Sequence, residues 1–103
     1  MKTIRISKRD ISPQDILYLE SQGNYTMLYL NDNKKELSSR TLQIFEEKLK
    51  GYNFYRVNRS HIVNFSAIEW FDSGSKEINI LLKSGEQFSI SRRRRKLFSM
   101  MIL

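Results

Sequence analysis

Phe54-Tyr55-Arg56-Val57-Asn58-Arg59-Ser60-His61-Ile62-Val63-Asn64 reads as two short apolar runs joined by a polar step. Each run is too brief for a helical stripe and alternates with a period near two, so each is a strand. The interruption Asn58 to His61 is a polar step between the two strands.

The same pattern extends in both directions. Upstream, Ile4 and Ile6 start an edge strand that Ser7-Lys8-Arg9-Asp10 breaks, and Ser12-Pro13-Gln14-Asp15 forms a turn with Pro at its second position. Ile16 to Glu20 and Tyr25 to Leu30 are strands joined by the tight loop Ser21 to Asn24. Asn31 to Lys34 then turns the chain into Lys35 to Ser38. Downstream, a strand covers Ala67 to Phe71, Asp72 to Ser75 turns, and Glu77 to Leu82 runs out. Lys83 to Glu86 turns again and Gln87 to Ile90 returns. In this last hairpin Ile78, Ile80 and Leu82 share one face, where Phe88 and Ile90 meet them across the ladder.

One segment breaks the period. From Thr41 to Lys50 the apolar residues Leu42, Phe45 and Leu49 lie three and four apart, with Ile44 and Tyr52 flanking. Thr41 caps the start and Gly51 takes the left-handed position that ends the helix. About ten residues do not hold a helix alone in water, so it packs on a sheet. Phe45, Phe54, Phe88 and Leu49 are core positions, and alternation buries one of Trp70 and Phe71 while exposing the other.

The 103 residues make one domain, 1–103, mainly β, with small antiparallel sheets, one short helix near 41–50 and a C-terminal helical turn. Six Phe, five Tyr and 40% apolar residues place the chain among globular proteins. The absence of Cys excludes disulfides and thiolate metal sites and fits a reducing cytoplasm. One His leaves little for a metal centre, and Asp72, Glu77 and Glu86 lack calcium-loop spacing. No glycine-rich phosphate cradle, paired acid and base, or activated nucleophile is legible, so neither a cofactor nor enzymatic activity is expected. No apolar stretch is long enough to cross a bilayer.

Net charge is +7 and unevenly spread. Residues 1–53 carry nine basic and seven acidic side chains, and residues 54–103 carry nine basic and four acidic. This gradient favours an anionic partner. Its densest part is Arg92-Arg93-Arg94-Arg95-Lys96, directly after Phe88-Ser89-Ile90-Ser91. Five adjacent cations call for a solvated surface or a polyphosphate.

Taken together, these segments resemble the LytTR family of bacterial DNA-binding domains. The matches run from Ile16-Leu17-Tyr18-Leu19-Glu20 with Gly23-Asn24-Tyr25, through Thr41-Leu42 and Glu46-Glu47-Lys48-Leu49. They continue with Phe54 to Ser60 running into Ile62-Val63-Asn64 and Ile68, and close on Phe88 to Arg93. The resemblance implies small β-sheets with a short helix, reading duplex DNA from loops. It also implies transcription regulation within two-component systems, in which a receiver domain commonly precedes this module and a sensor kinase acts on it. No receiver sequence lies within these residues, leaving an excised domain and a stand-alone regulator as alternatives. Family members occupy direct repeats, which implies two copies side by side on double-stranded DNA. Two positions depart from the family: His is usual where Asn58 stands, and an aromatic is frequent where His61 stands.

Arg59 is the leading contact, since a guanidinium on a loop addresses guanine O6 and N7 bidentately or clasps a phosphate. Arg56 is a second candidate, with pairing to a carboxylate as its alternative. Asn58 can donate and accept; Ser60 can donate to a phosphate or stabilise its own turn. His61 is either a DNA contact or a partly buried polar residue. Its adjacency to Ser60 makes no catalytic pair, because neighbours in a strand face opposite sides. By resemblance, the loop Ser21 to Thr26 brings Asn24, Tyr25 or Thr26 to DNA, although alternation would let Tyr25 or Thr26 face the core. Resemblance also makes Arg92, then Arg93, the leading contacts of the basic run, with Lys96 adding general attraction. Two rivals stand beside this reading. One is an RNA-binding β module stacking bases on Tyr25, Tyr29 or Phe71. The other is a protein-interaction domain that docks through its apolar C-terminus.

Overall fold

The computed structural model describes residues 3–6, 9–72 and 78–102. Among these residues ten strands and two α-helices follow in the order β1 (Ile4–Ile6), β2 (Arg9–Ile11), β3 (Ile16–Gln22), β4 (Tyr25–Leu30), β5 (Lys35–Ser38), α1 (Leu42–Lys48), β6 (Phe54–Asn58), β7 (His61–Asn64), β8 (Ile68–Asp72), β9 (Ile78–Leu82), β10 (Gln87–Ile90) and α2 (Arg92–Ile102). They form a five-stranded sheet of order β5-β4-β3-β7-β6, a three-stranded sheet β10-β9-β8 and the small pair β1-β2, all antiparallel. The expected mainly β architecture of small sheets is therefore observed.

Side-chain parity explains why the five-stranded sheet is covered on both faces. Leu19 of β3, Leu28 and Leu30 of β4 and Ile62 of β7 point toward α1, where Leu42, Phe45 and Leu49 complete one core. Tyr18 of β3 and Val63 of β7 point the other way. They meet Ile78, Ile80 and Leu82 of β9, Ile90 of β10 and Phe98 of α2 in a second core. A strand buried on both faces reads as a continuous apolar run, which is the character of Ile16-Leu17-Tyr18-Leu19.

Helix α1 spans seven residues within the expected range. The Thr41 hydroxyl accepts from the Ile44 N–H, and Gly51 beyond the helix has φ +86°. Phe45 and Leu49 are fully buried, whereas Phe54 and Phe88 are partly buried against the two cores. Ile78, Ile80 and Leu82 share the buried face, with Phe88 opposite Ile80 and Ile90 opposite Ile78.

Several expectations need correction. Arg9 and Asp10 do not end an edge strand; with Ile11 they form β2, opposite β1. β3 continues to Gln22, shrinking the expected Ser21 to Asn24 loop to Gly23-Asn24. The C-terminal turn is an eleven-residue helix. Trp70 and Phe71 are both exposed: they still alternate, and Phe71, opposite Ile80, touches Phe98 with ring centroids 5.9 Å apart, but β8 is an edge strand and leaves that ring only partly covered. The turn expected at Asp72 to Ser75, and the strand start at Glu77, fall largely outside the described residues.

Candidate nucleic-acid interface

Sheet topology brings the predicted loops to one end of the molecule. Gln22 pairs with Tyr25, so the β3-β4 turn consists of Gly23 and Asn24, with Gly23 at φ +67°. A positive φ at the first central position of a two-residue hairpin favours glycine. Glu20 pairs with His61, and the Ser21 N–H donates to the Ser60 carbonyl at 2.8 Å. The β6-β7 turn, Arg59 and Ser60, therefore sits beside the β3-β4 turn. Asn58 pairs with His61 across the base of this second turn, immediately after a register irregularity at Val57. Such bulges re-aim the following side chains. The Ser91 N–H donates to the Val57 carbonyl at 2.9 Å, which sets the start of α2 against the same end.

Arg59 and Ser60 are exposed at the tip of their turn, as are Asn24 and Tyr25 on theirs. Tyr25 is 50% exposed, yet the adjacent Thr26 has no accessible surface. The Thr26 hydroxyl instead donates to the Arg40 carbonyl at 2.8 Å, tying down the segment before α1. Of the two residues that alternation left ambiguous, Tyr25 faces outward and Thr26 inward. Thr26 presents no side-chain surface to a partner.

Arg56 faces the α1 side of the sheet. Its guanidinium pairs with Glu46 at 3.1 Å and donates to the Arg59 carbonyl at 2.7 Å. This is the carboxylate pairing weighed as the alternative to DNA contact, and it grips the Arg59 turn from behind. Asn58 and His61 are half-buried. The Asn58 Oδ1 accepts from the Ser60 N–H at 2.8 Å and lies 3.0 Å from His61 Nδ1; its Nδ2 donates to the Ser89 carbonyl at 3.2 Å. His61 Nε2 lies 3.0 Å from Glu20 Oε2. The imidazole rests on Phe88, centroids 4.7 Å apart, at the end of a ring column continuing through Tyr18 to Tyr29.

Tyr18 shows how dry this column is. Burial first, then the nearby Glu86 carboxylate, pushes its phenol from 10.0 to about 12. Burial also raises Tyr29, with Glu20 adding to the effect. Tyr18, buried in the second core, is thus packing material.

The basic run enters α2. The backbone of Arg92 starts the helix, but its side chain lies outside the described ones. Arg93 and Lys96 are exposed and Arg94 and Arg95 half-buried, so these four charges diverge around the helix. Phe98 is wholly buried against Tyr55, Phe65 and Phe71, and the Tyr55 hydroxyl donates to the Arg94 carbonyl. These contacts seat α2 along β6. Leu97 and Met100 remain exposed.

Sequence reasoning did not single out Glu20, Gln22 or Ser89 as part of this end. Their involvement depends on strand register, and the one local signal was a charged residue closing an otherwise apolar strand at Glu20. A cleft of about 400 Å³ lies at the opposite end of the sheets, between the turns at 31–33 and 83–84. Its lining of Asn, Ser and single charges gathers none of the predicted contacts. Among the described residues no His, Cys, Asp or Glu group could hold a metal ion, and no helix is long and apolar enough to cross a membrane.

Comparisons with known proteins bear on the family and the fold. The model of the LytTr DNA-binding domain matches residues 7–103. A sensory transduction protein, LytT, of Bacillus subtilis is 30% identical over 86 residues, 80% of this chain and 34% of that protein. Its namesake in Oceanobacillus iheyensis is 30% identical over 77 residues, 71% of this chain and 30% of that protein. The chain thus spans about a third of the length of these relatives. A solved LytTr DNA-binding domain from Bacillus cereus superposes with a TM-score of 0.81 at 21% identity, covering 97% of this chain and 94% of that one.

Proposed function

The chain belongs to the LytTr DNA-binding domain family, and on that premise we propose that it regulates transcription by binding duplex DNA sequence-specifically through the turns gathered at one end of its sheets. Arg59 and the segment Arg92-Arg93 carry base contacts, with Asn24 and Tyr25 beside them. Ser60 and Lys96 add phosphate contacts. The observation that carries this reading is the convergence of Gly23-Asn24, Arg59-Ser60 and the start of α2 at one end, with Arg59 exposed at a turn tip. Two copies side by side on direct repeats, with a receiver domain or sensor kinase as further partner, extend the same proposal to the working assembly.

Selection from random duplexes followed by single-strand competition tests it. The expected result is recovery of a recurring sequence whose complex resists single-stranded competitor. Displacement by single strands would favour an RNA-like stacking mode instead. Lys96→Ala should weaken selected and random duplex alike and lower the slope of log affinity against log salt by about 0.9, the value for one phosphate.

A further inference from the structure

Asn58 stands among the candidate contacts in sequence, yet both ends of its amide are spent inside the chain. Its oxygen takes the Ser60 N–H and faces His61 Nδ1, and its nitrogen donates to the Ser89 carbonyl. Flipping the amide would set nitrogen against the Ser60 N–H and oxygen against the Ser89 carbonyl, so its orientation is fixed. His61 Nδ1 must then donate to Asn58, and because Nε2 faces a carboxylate oxygen it too must donate, so the His61–Glu20 link is made by the imidazolium as a hydrogen-bonded ion pair. Glu20 in turn accepts from Gln22 Nε2 at 2.6 Å and from the Tyr29 hydroxyl at 3.2 Å. A continuous line of hydrogen bonds therefore runs from β10 through the Arg59 turn to the β3-β4 hairpin. It links the two turns that carry proposed contacts to β10, the strand that leads into α2, and Arg59 is exposed on the turn at its middle.

We propose that Asn58 is a positioning residue for Arg59: with His61 and Glu20 it forms a brace that fixes the β6-β7 turn relative to the β3-β4 hairpin and β10. This rests on the DNA-binding reading above. Reaching a base with the Asn58 amide would break three internal hydrogen bonds at once, each of which orders the turn. The brace turns a two-residue turn into a rigid mount, so that Arg59 meets DNA without first being ordered.

A double-mutant cycle tests the proposal by fluorescence anisotropy on the selected duplex and on random duplex. Asn58→Ala should weaken selected-duplex binding about tenfold, the scale of one or two lost hydrogen bonds, and leave random-duplex binding unchanged. In an Arg59→Ala background the same change should cost nothing further, because its effect passes through Arg59. An equal loss in both backgrounds, or none in either, overturns the proposal. Should Asn58→Ala fail to fold, Glu20→Ala removes the far end of the brace. It should weaken selected-duplex binding about threefold, only with Arg59 present; additivity would again overturn the idea. Amide exchange at Ser60 reads the brace without DNA. If no duplex is preferred the DNA-binding reading fails, and the brace is then judged on whether Asn58→Ala releases the Ser60 amide. Unchanged exchange there would overturn the brace itself.

Discussion

Phe98→Ala should be the most costly single truncation among the described side chains of α2. The ring has no accessible surface and meets Tyr55, Phe65 and Phe71 at centroid distances of 5.5, 5.9 and 5.9 Å. A buried aromatic side chain removes roughly 150–250 Å² from water, or about 4 to 6 kcal/mol at ~25 cal/mol per Å², an upper bound. Buried Phe→Ala changes cost about 3 to 5 kcal/mol once the cavity partly relaxes. That is a large part of the ~5 to 15 kcal/mol that holds a small domain together. Urea denaturation followed by circular dichroism should show the midpoint falling by about 2 M, taking a slope near 2 kcal/mol per M. Leu97→Ala is the internal control: the same helix and the adjacent position, but 57% exposed, with an expected change within about 0.5 kcal/mol. A loss below about 1 kcal/mol for Phe98→Ala would refute the claim that α2 belongs to the second core.

Two further outcomes concern stability. Tyr18 is raised from 10.0 to about 12 in the folded chain, so the folded state holds its proton more tightly. Its contribution is fully present below pH 10 and is lost as pH rises toward 12, by about 2 kcal/mol at pH 12. Burial raises Tyr55 and Tyr29 too, in the same direction, and alkaline melts of Tyr18→Phe should show a shallower decline; an identical decline would contradict the assignment. Asn64, buried, donates to the Ile16 carbonyl and accepts from the Ser66 N–H, both at 2.9 Å. Asn64→Ala should cost about 1 to 3 kcal/mol for the polar groups left unpaired without changing DNA affinity, and reduced duplex binding by the folded variant would show that the two ends are coupled.

Most of the fold was legible because period-two segments dominate and their turns carry Gly, Asn, Asp and Pro. Helix α1 announced itself through Thr41, the Leu42-Phe45-Leu49 spacing and Gly51. β2 was missed because Ser7-Lys8-Arg9-Asp10 has turn chemistry, and its pairing with Ile4–Ile6 is set by the backbone. The length of α2 was hidden by five consecutive cations, which show no amphipathic period; among the described side chains of the helix Phe98 is the buried one that seats it. At the interface, the Arg59 turn and the Gly23-Asn24 turn were readable as polar breaks between strands. The brace was not, because Glu20 and His61 are 41 positions apart and meet only through the β3-β7 register. Parity along β4 decided between Tyr25 and Thr26, and only the Gln22-Tyr25 pairing fixes that parity.

The central claim is that the end bearing Gly23-Asn24, Arg59-Ser60 and the start of α2 reads DNA, and that the opposite end does not. Anisotropy titration of the selected duplex with Arg59→Ala and with Lys83→Ala tests it most directly, because Lys83 is an exposed cation beside the far cleft. Arg59→Ala should lose about 1 to 3 kcal/mol of specific binding, while Lys83→Ala stays within about twofold of wild type. Equal losses from both variants, or a loss from Lys83→Ala alone, would contradict the account.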